Sequence, residues 1–96
     1  MKNRYYISGK ISGIEEEAPK HFERAEKFLV ARGLFPVNPM KIEHNHKGYW
    51  TDYMKSDIKV LCDCDGIYML NNWQDSKGAK IEFQLAKDLE LNIIFE

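Results

Sequence analysis

In the stretch Asp65 to Glu82, DGIYMLNNWQDSKGAKIE, an apolar run (Gly66 to Leu70) meets a polar loop (Asn71 to Gly78), and that loop opens a helix. A strand feeding a glycine-containing loop and then a helix is half of a βαβ unit. Glu82 falls in the first turns of that helix, where the apolar period calls for a hydrophobic residue. The stretch therefore sets both the architecture and the first candidate for chemistry.

Downstream, the spacing predicts a helix from about Gly78 to Glu90 and a strand at Leu91 to Phe95 (LNIIF). Ile81, Leu85, Ala86 and Leu89 form the apolar stripe, Lys80, Gln84, Lys87 and Asp88 lie outside it, and Glu82 projects near its centre. Upstream, Trp50 to Leu61 is helical: Trp50, Tyr53, Met54, Ile58, Val60 and Leu61 make one stripe. Asp52, Lys55, Ser56, Lys59 and Asp63 occupy the other side, and Asp57 sits mid-stripe.

The chain begins with a strand at Arg4 to Ser8 (RYYIS), which ends in a small polar loop with two glycines, Ser8 to Gly13. The next helix carries Ala18, Phe22, Ala25, Phe28 and Leu29 on one face, with Pro19 in its first turn and Gly33 just past its end. Leu34 to Val37 is a second short strand, and Pro36 marks it as an edge. Met40 to Tyr49 has no clean period; a loop of that length is a candidate lid or binding loop. The order β-α-β-α-β-α-β of short elements predicts one α/β domain over residues 1–96, with a parallel sheet and right-handed crossovers.

Ninety-six residues make a single small core, a size at which dimerisation adds useful buried surface. The formal net charge is −1 with 30% charged residues, and Lys and Arg are spread along the chain, so no footprint for duplex nucleic acid is present. The N-terminal apolar run is too short for a signal peptide and no run approaches the roughly 18 residues of a membrane span, so the expected location is the cytoplasm. Cys62 and Cys64 lack a second pair and fit neither a disulfide framework nor a zinc site. Glu43, His44 and His46 lack a metal-ligand spacing and read as a solvated loop. Neither a metal nor a cofactor is expected.

In a parallel sheet the loops leaving the strands' carboxyl ends open on one edge, where ligands bind. That brings together the loops Ser8 to Gly13, Asn38 to Trp50 and Asn71 to Gly78, with Glu82 just beneath. Ionised carboxylates on buried helix faces are costly unless paired or hydrogen-bonded, so Glu82 and Asp57 both require an explanation. A capping box at Glu82 would need Ser or Thr at position 79, which is Ala79. The plainer alternative is a structural carboxylate bonded to Tyr5 or Tyr6. Two carboxylates converging on a cleft suit glycosyl chemistry, one attacking the anomeric carbon and the other handling a proton. Glu82, near a helix N-terminus whose dipole favours its ionised form, is the expected nucleophile, and Asp57 or Asp75 the acid/base or sugar-hydroxyl ligand. Asp75 is equally a turn residue.

Ser76-Lys77-Gly78 precedes a helix start and can hold an anion or simply cap the helix. Lys10 and Ser12 are positioned to add to such a site, while Glu15, Glu16 and Glu17 oppose it. Tyr49, Trp50 and Trp73 flank the expected cleft and can stack on a planar base or pack as rim residues.

These residues resemble the nucleoside 2-deoxyribosyltransferase-like family, most closely its short phage and bacterial members. The resemblance rests on Tyr6-Ile7-Ser8-Gly9, on Asp57 upstream of Asp65-Gly66-Ile67-Tyr68, and on Ser76-Lys77-Gly78-Ala79-Lys80-Ile81-Glu82. It implies a three-layer flavodoxin-like fold with a parallel sheet of about four strands. It further implies N-glycosidic cleavage or deoxyribosyl transfer on a deoxynucleoside or its 5′-monophosphate, through a covalent intermediate on Glu82. By position, Asp57 and Asp75 match acidic residues near sugar and base, and Tyr6 a tyrosine that contacts the nucleophile. Ser76 and Gly78 match positions that hold a 5′-phosphate, with Lys10 and Ser12 beside them, and Ser8, Gly9 and Trp73 join the substrate-binding set. Members of the family form homodimers or larger assemblies that complete each other's sites. The contrasting expectations are a nucleotide-binding module without chemistry and a small interaction protein.

Overall fold

The computed structural model of the protein describes residues 3–42 and 48–96. Its sheet is built outward from strand β1 (Arg4–Ser8), which pairs in parallel with β2 (Phe35–Val37) on one side and β3 (Gly66–Met69) on the other. Strand β4 (Asn92–Phe95) extends β3, giving the all-parallel order β2-β1-β3-β4. In register, Tyr6 stands opposite Val37 and Ile67, and Ser8 opposite Met69.

This order, joined by right-handed crossovers, dictates the layers. The chain steps from β1 to β2 in one direction and from there to β3 and β4 in the other. Helix α1 (Ala18–Ala31) therefore covers one face of the sheet, while α2 (Trp50–Cys62) and α3 (Lys77–Asp88) cover the opposite face. The core divides accordingly. Tyr5, Ile7, Tyr68 and Leu70 pack with Ala18, Phe22, Ala25 and Leu29 of α1. Tyr6, Ile67 and Met69 pack with Leu61, Ala79 and Ala86 on the other side. Successive strand residues point to opposite faces, and a central strand buried on both reads as an unbroken apolar run, as Gly66 to Leu70 does. The result is the three-layer flavodoxin-like α/β fold that was expected, with four strands.

Element boundaries fall within one or two residues of those read from the sequence, and Pro36 lies in an edge strand. Two short 3₁₀ turns, Pro39–Lys41 and Trp73–Asp75, were not anticipated. The first is nucleated by Asn38, whose Oδ1 accepts the Met40 N–H at 2.9 Å. The phase of α3 also differs from the expected stripe. Its buried face is Gly78, Ala79, Glu82 and Ala86, while Ile81 and Leu89 are exposed. Small residues let α3 lie close to the sheet, and this rotation moves Glu82 from beside the centre of the face into it. Half of the candidate lid, residues 43–47 with Glu43, His44 and His46, lies outside the described residues.

Candidate active site

The sheet order reverses direction between β1 and β3, so the connections leaving their carboxyl ends diverge and leave a crevice. A cleft of about 470 Å³ lies there. Ile11, Phe22, Pro39, Met40, Trp50, Tyr53 and Met54 supply apolar wall, and Tyr6, Ser12, Glu15, Asp57, Ser76 and Glu82 supply polar groups. That size and mixture of apolar and polar groups suit a small organic ligand. Gly78 at the start of α3 sits at a close approach to a flexible methionine side chain. A Cβ there would stand 2.9 Å from Met54 Sδ, so glycine lets α3 close against α2.

Glu82 forms the floor of the cleft and is only 5% exposed. Its Oε2 accepts a hydrogen bond from the Tyr6 hydroxyl at 2.8 Å, and its Oε1 accepts one from the Ser8 hydroxyl at 2.6 Å. Tyr6 and Ser8 are two apart on β1 and so project from one face of the strand, beneath α3. Burial pushes the Glu82 carboxyl up, to about 7, against the downward pull of the bonds from Ser8 and Tyr6 and with a further upward push from the charge of Asp57. The Tyr6 phenol is raised well above its ordinary value, first by burial and then by the negative charges of Glu82 and Asp57. Tyr6 therefore acts as a hydrogen-bond donor throughout the physiological range.

The expectation that the helix dipole keeps Glu82 ionised is corrected here. Glu82 lies beyond the first turn of α3, where the dipole has faded, and desolvation dominates. The N-terminus of α3 itself is capped by Ser76, whose Oγ accepts the Ala79 N–H at 3.1 Å. Lys77 Nζ lies 4.7 Å from the centre of the Trp50 ring, joining the first turns of α2 and α3 through a cation–π contact. The Lys10 N–H donates to Asn72 Oδ1 at 3.0 Å, tying the loop after β1 to the loop after β3.

The sequence profile of a family described as Domain of unknown function (DUF4406) matches residues 3–95. The chain belongs to the DUF4406 family. None of the curated proteins compared with it matches.

Within this DUF4406 domain the site residues expected from the sequence separate into two groups. Tyr6, Gly9, Ser12, Asp57, Ser76, Gly78 and Glu82 come together around the cleft. Ser8 lies beneath it, 1% exposed and bonded to Glu82. Lys10 does not line the cleft, and its backbone N–H is bonded to Asn72. Asp75 is exposed on the outer 3₁₀ turn and does not line the cleft. Trp73 also points away from it: its ring packs 4.6 Å from Phe83 and 6.2 Å from Phe95, on the flank of α3 and β4. Sequence reading did not single out Ile11, Pro39 and Met40 as cleft wall. The Asn38-Pro39 pair, a turn signal at the end of a strand, was the available clue.

Among the described residues no group of three His, Cys, Asp or Glu side chains is placed to hold a metal ion. No helix among them is long and apolar enough to cross a membrane.

Proposed function

We propose that this DUF4406 domain cleaves the N-glycosidic bond of a deoxynucleoside or deoxynucleoside 5′-monophosphate, by hydrolysis or by transfer of the deoxyribosyl group, with Glu82 as nucleophile. The observation that carries the reading is a carboxylate buried at the floor of the cleft with a hydroxyl donor on each oxygen. A Glu82 oxygen attacks C1′ of the sugar and the C1′–N bond breaks, its electron pair leaving with the base. Asp57, on the cleft wall, gives the departing nitrogen a proton or holds a sugar hydroxyl. The resulting ester on Glu82 is then opened at C1′ by water, releasing the sugar, or by the nitrogen of a second base, forming a new nucleoside. The base stacks along the apolar wall beside Trp50 and Tyr53. The resemblance to the nucleoside 2-deoxyribosyltransferase-like family through Tyr6, Asp57 and the Ser76 to Glu82 run supports the same assignment. It also implies a cytoplasmic homodimer or larger assembly, which light scattering on the purified protein measures directly.

Incubation with deoxynucleosides and their 5′-monophosphates, followed by chromatography for free base, tests the reaction. Base release in the wild type that vanishes in Glu82→Ala supports it; equal release in both removes Glu82 from the role. If no base appears from any substrate while nucleotides still raise the melting temperature, the domain is a nucleotide-binding module, since only a ligand that binds the folded state stabilises it.

A further inference from the structure

Ser8 stands apart from Tyr6 and Glu82, which are also buried, because it does not line the cleft and lies sealed under its floor. It is 1% exposed, and its hydroxyl lies 2.6 Å from Glu82 Oε1. A serine hydroxyl has a single proton to donate, and that proton is directed at Glu82, so none is left for a bound ligand. Its position on the strand explains the geometry. Tyr6 and Ser8 project from the same face of β1, one long and one short, and the carboxylate of Glu82 descends between them with one oxygen on each. Two donors on two different oxygens fix the carboxylate plane as well as its location, which a single bond from Tyr6 would leave free to rotate.

The surroundings give these donors a second task. Among the described residues the titratable groups around Glu82 are Tyr6 from β1 and Asp57 from α2, with Glu15 and Tyr53 at the cleft wall, and no Lys or Arg lines the cleft. The two hydroxyls are therefore the groups, among those residues, that favour the charged state against burial.

We infer that Ser8 is a positioning residue for Glu82, acting with Tyr6 as a two-point clamp that orients the carboxylate toward the cleft and sustains its ionised form. This inference rests on the proposed use of Glu82 as nucleophile, but the clamp can be measured without turnover. Ser8→Ala, with its fold checked by circular dichroism, is compared with the wild type by carbon-13 NMR titration of the Glu82 carboxyl and by the pH profile of base release. The expected result is a titration midpoint about one unit higher, and kcat/KM at pH 7 lower by about fivefold or more, since a one-unit rise alone leaves under a tenth of the carboxylates ionised. The loss falls on kcat, and Ser8→Thr, which keeps the hydroxyl, restores both values to within about twofold of the wild type.

An unmoved midpoint in Ser8→Ala overturns the clamp, as does a loss confined to KM, which would make Ser8 a substrate contact. Should Ser8→Ala not fold, Ser8→Cys, close in size and a weak donor, carries the same expectation and the same refutation. A shifted midpoint in a protein that releases no base leaves the clamp standing and removes the glycosidic reading.

Discussion

Tyr5 and Tyr6 are adjacent on one strand, both buried, and serve opposite purposes. Tyr5 faces α1, where its ring lies over Gly66 on the neighbouring strand within a wholly apolar cluster. Tyr6 faces α2 and α3, where its hydroxyl is bonded to a buried carboxylate. The α1 side of the sheet is a close-packed apolar cluster that meets the cleft only at its edge, through Ile7, Ile11 and Phe22. The α3 side accepts a charge at the centre of its most buried helical face and surrounds it with donors. A carboxylate in the middle of a buried helical face is costly to folding, and that cost is the ground for proposing the site on this side of the sheet.

The sharpest way to break this contrast is to remove one group from each side. Glu82→Ala should lower base release by at least about 10³-fold, as loss of a covalent nucleophile does, while the protein stays folded. Leu29→Ala, on the buried face of α1, should instead destabilise by about 2–5 kcal/mol in urea unfolding and leave activity per folded molecule unchanged. If the two effects were exchanged, the division of labour between the faces would be wrong.

A subtler consequence is the pH dependence of stability. The Glu82 carboxyl is raised from 4.5 to about 7 on folding, so its contribution is most favourable below pH 4.5 and is lost as pH rises through 7. Glu82→Gln, which carries no charge, should therefore be more stable than the wild type at pH 8 by on the order of 3 kcal/mol, with the advantage fading toward pH 4.5. Melting temperatures recorded across that range measure it, and a constant difference would show that Glu82 does not titrate as described.

The tyrosines themselves give the next comparison. Tyr6→Phe removes a donor to a charged group and should cost about 10- to 100-fold in kcat/KM, whereas Tyr5→Phe should leave it within about twofold. The smallest effect is expected at the rim of the α1 side. Arg24 Nε is 2.8 Å from Glu96 Oε2, and the arginine side chain is 50% exposed. Its replacement by Ala should cost under about 1 kcal/mol and still less in high salt.

The features legible in the sequence were those with a local or periodic signature. Alternation and apolar runs located the strands, Pro36 identified the edge strand, and a carboxylate out of period exposed Glu82. What was not legible depended on partners distant in the chain. Trp73 reads as a cleft aromatic until Phe83 and Phe95 are brought against it from the next helix and strand. Ser8 reads as a loop-edge hydroxyl, because nothing local shows that its acceptor will arrive from 74 residues away. The ionisation of Glu82 followed the same pattern: the helix dipole is a sequence-level argument, while the burial that outweighs it is a tertiary quantity.

The bond from the Lys10 backbone to the Asn72 side chain has a mechanical consequence for the cleft. Ser12 and Ser76 on the cleft wall belong to segments far apart in sequence, yet this stitch ties the loop that carries the one to the loop that leads into the other. An arriving ligand finds a socket whose jaws are already set at their spacing, and less of its binding energy is consumed in ordering them.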